Sequence, residues 1–473
     1  MHIYFLGICG TAMGNAALLM RALGHTVSGS DTGVYPPMSD LLRDAGITIL
    51  EGWDATRLEK LHPDLVVIGN VASRGHPEVE WLLETRALPY VSLPELLRLH
   101  ILNRRQNIVV SGTHGKTTTT ALTTHLLRAQ GTDPGYLIGG VPLDLPSGTA
   151  PGHDGGAFVI EGDEYDSAFF DKRSKFIQYL PTLLLINNVE FDHADIFRDL
   201  PDILRTFSHV ARLVPRNGAI IANGDDPNVA QILPAVSWCP ILRVGTGKHN
   251  DVRIENFSED SSGSAFSLTW KNQPWAAVRW SLPGLFNARN AAMAATAAAL
   301  ALHPKNPPQF SPAALSTFQG VKRRQEKHID SDRLVVIEDF GHHPTAIAAT
   351  LESLRARYPR HRLVAAFEPR SNTAVRKVLQ NQFQEALSLA DTVFLAPVHR
   401  AEKYGADCLD TAAISSALQA EGKTAVAAHD HEDLLRHLQE TVAPASASQP
   451  ALVVFFSNGA FGGIIQKFVQ SLR

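Results

Sequence analysis

The chain has 473 residues, of which 44% are hydrophobic and 19% are charged. This composition is typical of a globular protein and excludes general disorder. At roughly 150 residues per domain, the length predicts about three domains. The 43 basic and 47 acidic residues give a net charge of −4, which argues against a nucleic-acid partner held by overall charge. No apolar run reaches the roughly 18 residues that span a bilayer, so we expect no membrane partner.

The cysteines Cys9, Cys239 and Cys408 are widely spaced and predict neither a disulfide framework nor a CxxC metal site. The first residues, MHIYFLGICG, have no basic region before their apolar stretch. They predict a strand that runs into a glycine turn, not a signal peptide. We therefore expect a reducing, cytoplasmic location.

The first hundred residues alternate strand and helix patterns, which predicts a parallel sheet covered on both faces. The predicted strands are His2–Leu6, Thr26–Ser30 and Leu65–Ile68, and the predicted helices are Ala12–Leu23 and Pro94–Leu102. The polar stretch Leu102–Asn107 is interpreted as a linker.

Two further α/β units follow the linker. The second has predicted strands at Ile108–Ser111, Ala157–Glu161 and Leu183–Ile186, helices at Thr117–Gln130 and Asn287–Leu302, and antiparallel hairpins within Asp251–Trp280. The third has predicted strands at Leu334–Ile337, Leu363–Phe367, Thr392–Leu395 and Leu452–Phe456, and helices at Pro344–Arg357 and Phe461–Leu472. We therefore predict an α/β chain of three domains: a Rossmann-like domain over residues 1–106, a central P-loop ATPase-like domain with a mixed sheet over 107–325, and a C-terminal Rossmann-like domain over 326–473.

A glycine-rich turn, Gly112-Thr113-His114-Gly115-Lys116-Thr117-Thr118, stands between a predicted strand and a predicted helix. Glycines let backbone N–H groups surround phosphate oxygens, and the helix N-terminus adds partial positive charge. Lys116 can reach the terminal phosphates, and the Thr117 hydroxyl can join a Mg²⁺ shell. The full P-loop pattern fails by one residue, because Val110 stands where its first glycine belongs. The strand–turn–helix context still favours a triphosphate site over a purely structural turn.

Carboxylates follow the next two predicted strands. Glu161, Asp163, Glu164 and Asp166 come at the end of one strand, where an open α/β sheet usually places its site. Such carboxylates can hold a hard cation against phosphates, although a solvated acidic loop is the alternative. The segment Asn187–Asp195 follows the other strand, and its His193 stands among acidic residues that can orient a metal ligand.

The N-terminal turn has glycines at Gly7, Gly10 and Gly14, a spacing close to a dinucleotide fingerprint but not identical with it. Asp31 ends the second predicted strand, where a carboxylate can hold a ribose hydroxyl. This turn predicts a nucleotide or its diphosphate on the first domain without saying which.

Charged and polar clusters mark the junction of the second and third units. Lys322-Arg323-Arg324 could clamp a phosphoryl group on domain closure or form a solvated basic face. His342 and His343, before Pro344, could cap a helix or contact a nucleotide. His429 and His431 lie in a charged stretch and are interpreted as surface residues.

These motifs together resemble the Mur ligase family, ATP-dependent enzymes that form amide bonds in peptidoglycan synthesis. The resemblance covers the whole chain, and its markers are Gly112–Thr118, Glu161, Asn188 with Asp192-His193-Ala194-Asp195, Asn287 with Asn290, Arg323-Arg324, and Asp339 with His342-His343-Pro344. It implies the three-domain fold, ATP and Mg²⁺ as cofactors, and an acyl phosphate that forms on a sugar-borne carboxylate before an amine attacks it.

The resemblance also implies a role for each matched residue. Lys116, His193 and Arg324 would be catalytic, and Thr117, Glu161 and His193 would bind metal. ATP would be bound by Gly112, Thr113, His114, Gly115, Lys116, Thr117, Thr118, Asn287, Asn290, Arg324, Asp339 and His343. A UDP-sugar would be bound by Gly7, Cys9, Gly10, Thr11, Met13, Gly14, Asp31 and Asn70. The amine-bearing peptide would be bound by Arg370, Ser371, Asn372 and Arg173.

Within the family, the chain most resembles members that join UDP-N-acetylmuramate to the tripeptide L-alanyl-γ-D-glutamyl-meso-diaminopimelate, in recycling of cell-wall peptide. The segments that carry this finer resemblance are 10–14, 34–39, Asp163–Asp166, 168–176, Glu368–Thr373 and Ser457–Gly459. Two positions depart from the family pattern. Phe286 replaces the usual His before Asn287, and residues 205–209 contain no lysine, so we predict no lysine carbamate at the second metal.

Three other interpretations stay open at this point. L-alanine could replace the tripeptide as the amine. The N-terminal fingerprint alone would allow a nicotinamide-dependent oxidoreductase, which leaves the Gly-Lys-Thr turn unexplained. A non-catalytic muropeptide sensor could use ATP as a switch. The oligomeric state and the third peptide residue accepted are not predicted.

Overall fold

The computed structural model describes residues 1–36 and 38–472. Pro37, within one segment of the finer resemblance, and Arg473, at the end of the predicted third domain, lie outside the described residues. In the described chain, no helix is long and apolar enough to cross a membrane.

The first sheet is wholly parallel, with strand order β3-β2-β1-β4-β5. Its elements are β1 (His2–Leu6), α1 (Thr11–Ala22), β2 (Thr26–Asp31), α2 (Met38–Asp44), β3 (Thr48–Glu51), α3 (Thr56–Leu61), β4 (Leu65–Ile68), α4 (Pro77–Thr85), β5 (Tyr90–Ser92) and α5 (Leu93–His100). Strand order reverses beside β1, so the turn after β1 lies at the position where open α/β sheets bind ligands.

The predicted linker connects the elements of the first sheet to those of the second, but it is more ordered than expected. Leu102–Arg104 forms a short 3₁₀ turn, and the next strand begins at Gln106. Leu102 and Asn107 are each about 1% exposed, and the Asn107 amide donates to the carbonyl oxygens of Leu102 and Leu180. The polar side chain of Asn107 therefore satisfies buried backbone groups. The sequence alone does not distinguish such a residue from a polar residue that faces solvent.

The second sheet has ten strands in the order β17-β16-β15-β14-β13-β12-β6-β9-β7-β8, with β10 and β11 pairing separately. Its elements are β6 (Gln106–Ser111), α6 (Lys116–Ala129), β7 (Gly135–Leu137), β8 (Thr149–Ala150), β9 (Ala157–Gly162), β10 (Asp166–Ala168), β11 (Asp171–Ser174), β12 (Leu183–Ile186), α7 (Leu200–Ala211), β13 (Ala219–Asn223), α8 (Pro227–Ile232), β14 (Ile241–Gly245), β15 (Val252–Asp260), β16 (Gly263–Trp270), β17 (Gln273–Trp280) and α9 (Leu285–Leu302). The antiparallel hairpins predicted for Asp251–Trp280 are confirmed as β15, β16 and β17.

Alanines on α9 allow this helix to pack closely in the central core. Residues Ala291, Ala294, Ala295 and Ala298 are fully buried, in the same apolar cluster as Leu122 of α6. A side chain of one methyl group costs little conformational entropy in a helix and lets neighbouring backbones approach. This packing sets the N-terminus of α9 beside the turn that precedes α6.

The third sheet has the order β18-β19-β23-β20-β21-β22, and only its β18–β19 pair is antiparallel. Its elements are β18 (Glu326–Asp330), β19 (Leu334–Asp339), α10 (Pro344–Arg357), β20 (Arg362–Phe367), α11 (Gln380–Leu387), β21 (Thr392–Leu395), α12 (Thr411–Ala420), β22 (Thr424–Ala427), α13 (His431–Val442), β23 (Ala451–Phe456) and α14 (Ile464–Ser471). The predicted closing helix begins later than expected, because Gly462 and Gly463 both have positive φ within a preceding 3₁₀ turn.

Candidate functional site

The central site lies where three parallel strands end side by side. β6 pairs with β12 on one side and with β9 on the other, and Ser111 stands in register with both Ile186 and Gly162. The turns that follow these strands carry the glycine-rich motif, the Glu161–Asp166 carboxylates and the Asn187–Asp195 segment. Adjacency of the strands therefore brings together three motifs that are separated in sequence.

The glycine-rich turn adopts a conformation that suits phosphate. Gly112 and Gly115 have φ of +132° and +78°, values that residues with a side chain rarely adopt. A Cβ added to Gly115 would lie 2.5 Å from Oδ1 of Asn290, so glycine is required for close approach of α9. Gly115 is the N-cap of α6, and no side chain caps this helix. The N–H groups of the first turn are thus available to an anion.

Thr117 and Glu161 form an oxygen pair beside this turn. The Thr117 hydroxyl donates to Oε2 of Glu161 at 3.2 Å, and the Gly139 N–H donates to Oε1 at 2.6 Å. Burial raises the pKa of Glu161, although Lys116 and Arg324 oppose the shift. A buried carboxylate beside a hydroxyl is an oxygen donor set that fits Mg²⁺.

A second group links Lys116, Glu164 and His193. The Lys116 Nζ atom lies 2.9 Å from Oε2 of Glu164, and Nε2 of His193 lies 3.3 Å from Oε1 of the same carboxylate. Burial alone would lower the pKa of His193, but Glu164, Asp192 and Asp163 raise it to about 9. Oxygen and nitrogen atoms of Asp163, Glu164 and His193 lie within 4.8 Å of one another, which fits a second cation.

Glu164 was not among the predicted site residues, although its cluster was singled out. It is about 1% exposed and accepts from Lys116 through both oxygens. Only its burial against Lys116 distinguishes it from the other carboxylates of the cluster. The sequence pattern contains no signal for that difference.

His114, Glu190 and His343 join the turn to the C-terminal domain. His114 Nε2 lies 2.8 Å from Glu190 Oε2, and His343 Nδ1 lies 3.1 Å from the same oxygen. The two imidazole rings are 4.7 Å apart, and His343 is buried. Burial, with the nearby His114, lowers the pKa of His343. Sequence analysis missed Glu190 as the residue that both histidines share.

Other residues predicted to bind ATP lie near this junction. Asn290 donates to Oδ1 of Asn287 at 3.3 Å, and Asn287 donates to the Pro283 carbonyl oxygen at 2.7 Å. Asp339 ends β19, where its oxygens accept from the N–H groups of Gln325 and Gly341. Burial raises the pKa of Asp339.

Arg324 reaches Thr117 at the start of α6, and its neighbour Arg323 does not. An Nη atom of Arg324 lies 3.4 Å from the Thr117 hydroxyl, and its guanidinium stacks on Phe340 at 4.6 Å. Arg323 instead bonds to Glu338 at 2.5 Å and to the carbonyl oxygens of Ser457 and Gly459. The structure therefore separates the two arginines into one that faces the central domain and one that stabilises the C-terminal sheet.

The loops after β20 and β23 place Arg370 beside a buried carboxylate. Glu368 accepts from the Ser457 hydroxyl and lies 3.4 Å from His431 Nε2 and 3.7 Å from Arg370 Nη1. His431 has a side chain that is 34% exposed, in agreement with its interpretation as a surface residue, and its ring contacts Glu368 and Phe461. His429 is exposed, as predicted.

Asn372 and Thr373 connect the β20 loop to the loop that carries His193. Asn372 Nδ2 donates to Asp195 Oδ2 at 2.8 Å, and the Tyr165 hydroxyl bonds to the same carboxylate. The Ala194 N–H donates to the Thr373 hydroxyl at 3.0 Å. Ser371 lies in this loop too, where its hydroxyl accepts from the backbone.

The N-terminal turn is organised by Asp31. Its two carboxylate oxygens accept from the N–H groups of Cys9 and Gly33, each at 2.8 Å. Gly7 has a φ of +79°, and Gly10 caps α1 without a side-chain hydrogen bond, so the N–H groups of Thr11 and Met13 begin an open helix end. Asp31 therefore shapes the turn directly through these two hydrogen bonds.

Two predicted binding residues have protein partners. Asn70 donates to the carbonyl oxygen and Oδ1 of Asp166, at 2.9 and 3.1 Å, and so joins the first domain to β10. Arg173 is exposed on β11 and bonds to Asp171 at 2.8 Å, within its own strand. Gly14 packs against Met38, where a Cβ would overlap the thioether.

Family models match the chain in three segments. Residues 2–105 match the model described as Mur ligase family, catalytic domain, and residues 110–299 match the Mur ligase middle domain. Residues 323–459 match the Mur ligase, glutamate ligase domain.

Individual relatives align over the full chain. The Escherichia coli K12 protein named UDP-N-acetylmuramate–L-alanyl-γ-D-glutamyl-meso-2,6-diaminoheptandioate ligase is 40% identical over 477 residues, 100% of this chain and 98% of its own. A crystal structure of a murein peptide ligase from Psychrobacter arcticus has a TM-score of 0.73 and 37% identity, over 100% of this chain and 98% of that one. The Burkholderia multivorans UDP-N-acetylmuramate–L-alanine ligase is 33% identical over 100% of this chain and 98% of its own.

Proposed function

The chain belongs to the Mur ligase family, and on that premise we propose that it joins the lactyl carboxylate of UDP-N-acetylmuramate to the free amine of L-alanyl-γ-D-glutamyl-meso-diaminopimelate. As a member of this family it is an ATP-dependent ligase that forms amide bonds. The observation that carries the choice of amine is the full-length 40% identity to the E. coli relative, whose name specifies this tripeptide. Identity to the L-alanine ligase from Burkholderia is lower, at 33%.

The reaction needs activation of the carboxylate, because a carboxylate oxygen is a poor leaving group. Transfer of the γ-phosphoryl group of ATP would make an acyl phosphate, from which the amine displaces phosphate. Phosphoryl transfer is catalysed mainly by positioning and by cations. The uncapped first turn of α6 and the Lys116 ammonium supply both at the glycine-rich turn.

Two cations fit the polar groups at the strand ends. Thr117 and Glu161 would hold one against the phosphates. His193, Glu164 and Asp163 would hold the second, and these carboxylates would take the place that a lysine carbamate has in some family members. Bound Mg²⁺ would supply positive charge that neutralises the phosphates during the transfer.

The remaining residues position the reactants. Arg324, already 3.4 Å from the Thr117 hydroxyl, would neutralise charge on the γ-phosphate side. Asn287, Asn290, Asp339 and His343 would bind adenosine, and the turn from Gly7 to Gly14 would bind the UDP-sugar. Orientation of reactants in one site is worth about 7–11 kcal/mol of the barrier. Exclusion of water would also protect the acyl phosphate from hydrolysis.

The three sheets suggest which domain binds which substrate. We assign residues 1–106 to the UDP-sugar, 107–325 to ATP, and 326–473 to the peptide and to closure over ATP. The contacts of Asn70 with Asp166 and of Asn372 with Asp195 join these parts around the central site. Nucleotide-sugar substrates and free thiols fit a cytoplasmic reaction.

A competition assay tests the proposal. The purified chain is incubated with ATP, MgCl₂, UDP-N-acetylmuramate and equal concentrations of L-alanine and the tripeptide, and products are identified by mass spectrometry. The tripeptide adduct should dominate, with one phosphate released per adduct. An L-alanine adduct as the main product would overturn the proposal. ATP binding without turnover, in the presence of all substrates, would favour the sensor instead.

A further inference from the structure

A cavity of about 350 Å³ lies between the loop after His193 and the loop that follows Asn372. Its lining residues come from the central domain, within residues 191–198, and from the C-terminal domain, where they are Arg376, Val378 and Asp407. We call this the third-residue cavity. None of the residues that line it belongs to the binding residues assigned above.

The third-residue cavity lies within reach of the reaction centre. Its wall contains Ala194 and Asp195, the two residues directly after His193. The Cα atoms of His193 and Asp195 are at most about 7 Å apart, because two residues of extended chain span no more than that. An extended tripeptide spans about 10 Å. A tripeptide whose amine is held near His193 is therefore long enough to place its far end in the cavity.

Both signs of charge line the third-residue cavity. Arg376 Nη1 lies 3.0 Å from Asp407 Oδ2, and the guanidinium stands over the Tyr404 ring at 5.5 Å. Asp407 has a half-exposed side chain, so its carboxylate is open to a ligand. An Arg–Asp pair at a cavity rim matches a ligand end that bears a carboxylate beside an ammonium.

The rest of the wall is apolar. Phe191, Ile196 and Phe197 come from the central domain, and Val378 comes from the C-terminal domain with about 47% of its surface exposed. Cover by an aliphatic chain would remove this apolar surface from water, at about 25 cal/mol per Å². The wall therefore favours a short methylene chain that ends in a zwitterion.

We propose that the third-residue cavity binds the side chain of meso-diaminopimelate, with Arg376 on its distal carboxylate and Asp407 on its distal ammonium. The assignment rests on the proposed function, because it takes the tripeptide as the amine substrate. Among common third residues, only diaminopimelate offers both charges on an aliphatic chain, whereas lysine offers the ammonium alone. The cavity thus determines specificity at the third residue.

The test pairs truncated substrates with single substitutions. KM is measured for the diaminopimelate tripeptide, for the same tripeptide with L-lysine, and for the dipeptide L-alanyl-γ-D-glutamate; a peptide without detectable turnover is measured as a competitive inhibitor. Arg376→Ala should raise KM about tenfold for the diaminopimelate tripeptide and leave the lysine tripeptide and dipeptide unchanged. Asp407→Asn should weaken both tripeptides and leave the dipeptide unchanged.

Controls separate this inference from folding and from the proposed function. Arg436→Ala removes an exposed arginine that pairs with Asp433 on α13, and it should change none of the constants. Thermal melting shows whether Arg376→Ala folds. If it does not, Asp407→Asn, which keeps the side-chain volume, tests the assignment in its place. Equal effects on all three peptides, or none on any, would overturn the cavity assignment. Failure of the unaltered chain to ligate any of the three would instead overturn the proposed function.

Discussion

The Nζ atom of Lys116 lies 2.9 Å from Oε2 of Glu164 and 2.7 Å from the carbonyl oxygen of Gly112. Burial alone would lower the pKa of Lys116, but Glu164 and Asp163 raise it. The lysine is therefore an ammonium inside the glycine-rich turn. A charged donor therefore lies in the turn that we propose binds the phosphates.

Lys116→Ala should abolish ligation, because the turn loses the cation that neutralises the terminal phosphates. Phosphate release in the presence of all three substrates measures the loss. UDP-N-acetylmuramate affinity, measured by calorimetry, should persist because its proposed site lies on another sheet. Lys467→Ala, an exposed lysine on α14, is the matched control and should retain full activity. Substantial turnover by Lys116→Ala would remove the phosphate role from this residue.

Arg370→Ala should raise the KM for the tripeptide about tenfold or more and change the KM for ATP little, because guanidinium–carboxylate bonds are strong and geometrically specific. Steady-state kinetics with each substrate varied in turn provides the measurement. Gly459→Ala should act in the same direction, since its Cβ would overlap the Arg370 side chain. Equal changes in both KM values would place Arg370 outside the peptide site.

Asn372→Ala distinguishes two roles for this residue. Its amide donates to Asp195 across the domain junction at 2.8 Å, and the substitution removes that bond. If the bond serves domain closure, kcat should fall several-fold with little change in the tripeptide KM. A rise in the tripeptide KM at constant kcat would instead support the predicted peptide contact. Small-angle scattering with ATP reports whether the variant closes.

Asp225→Asn should destabilise the central domain by about 1 kcal/mol at pH 7, because solvent screens the interactions of this partly exposed carboxylate. Burial opposes ionisation of Asp225, but the N–H groups of Thr246 and Gly247 and the Asn250 amide lower its pKa to about 2. A carboxylate with a lowered folded-state pKa stabilises the protein above its unfolded-state pKa, and that stability is lost as pH falls through the folded value.

The difference in unfolding free energy between Asp225→Asn and the unaltered chain should therefore shrink as pH falls from about 4 towards 2. Urea unfolding across that range measures it. Asp40→Asn, at an exposed position on α2, should show no such difference. If the difference in unfolding free energy between Asp225→Asn and the unaltered chain stays constant with pH, the charge of the carboxylate is not what stabilises the protein.

Motifs that depend on one strand and one turn were predictable. The strands Leu65–Ile68, Leu183–Ile186 and Thr392–Leu395 are confirmed at both ends. Apolar runs bounded by glycine and polar residues determine such strands locally. The short strands β10 and β11 were not predicted, since their local patterns are weak and their pairing depends on partners. The helix α7 was also not predicted, although Asp199 caps it and Ile203, Phe207 and Val210 form a buried apolar face.

Partners distant in sequence were not predictable. Glu190 contacts both His114 and His343, which are 229 positions apart in the sequence. Glu368 accepts a hydrogen bond from Ser457 and lies beside His431. Residue types alone indicate that a carboxylate can accept a hydrogen bond, but not from which donor. His431 likewise is a partly exposed residue whose contact with the buried Glu368 carboxylate no local pattern indicates.

The amino-acid sequence alone indicated an ATP-dependent reaction. The glycines, the lysine and the threonine of the turn before α6 are contiguous, so this segment by itself forms a turn and a helix N-terminus that suit phosphate. Only the tertiary structure showed which carboxylates contact Lys116 and Thr117 and where the third-residue cavity lies. Those arrangements depend on β6 lying between β9 and β12, and on the C-terminal loops meeting the His193 loop. Strand order and domain contacts are set by the packing of whole sheets, which no local segment encodes.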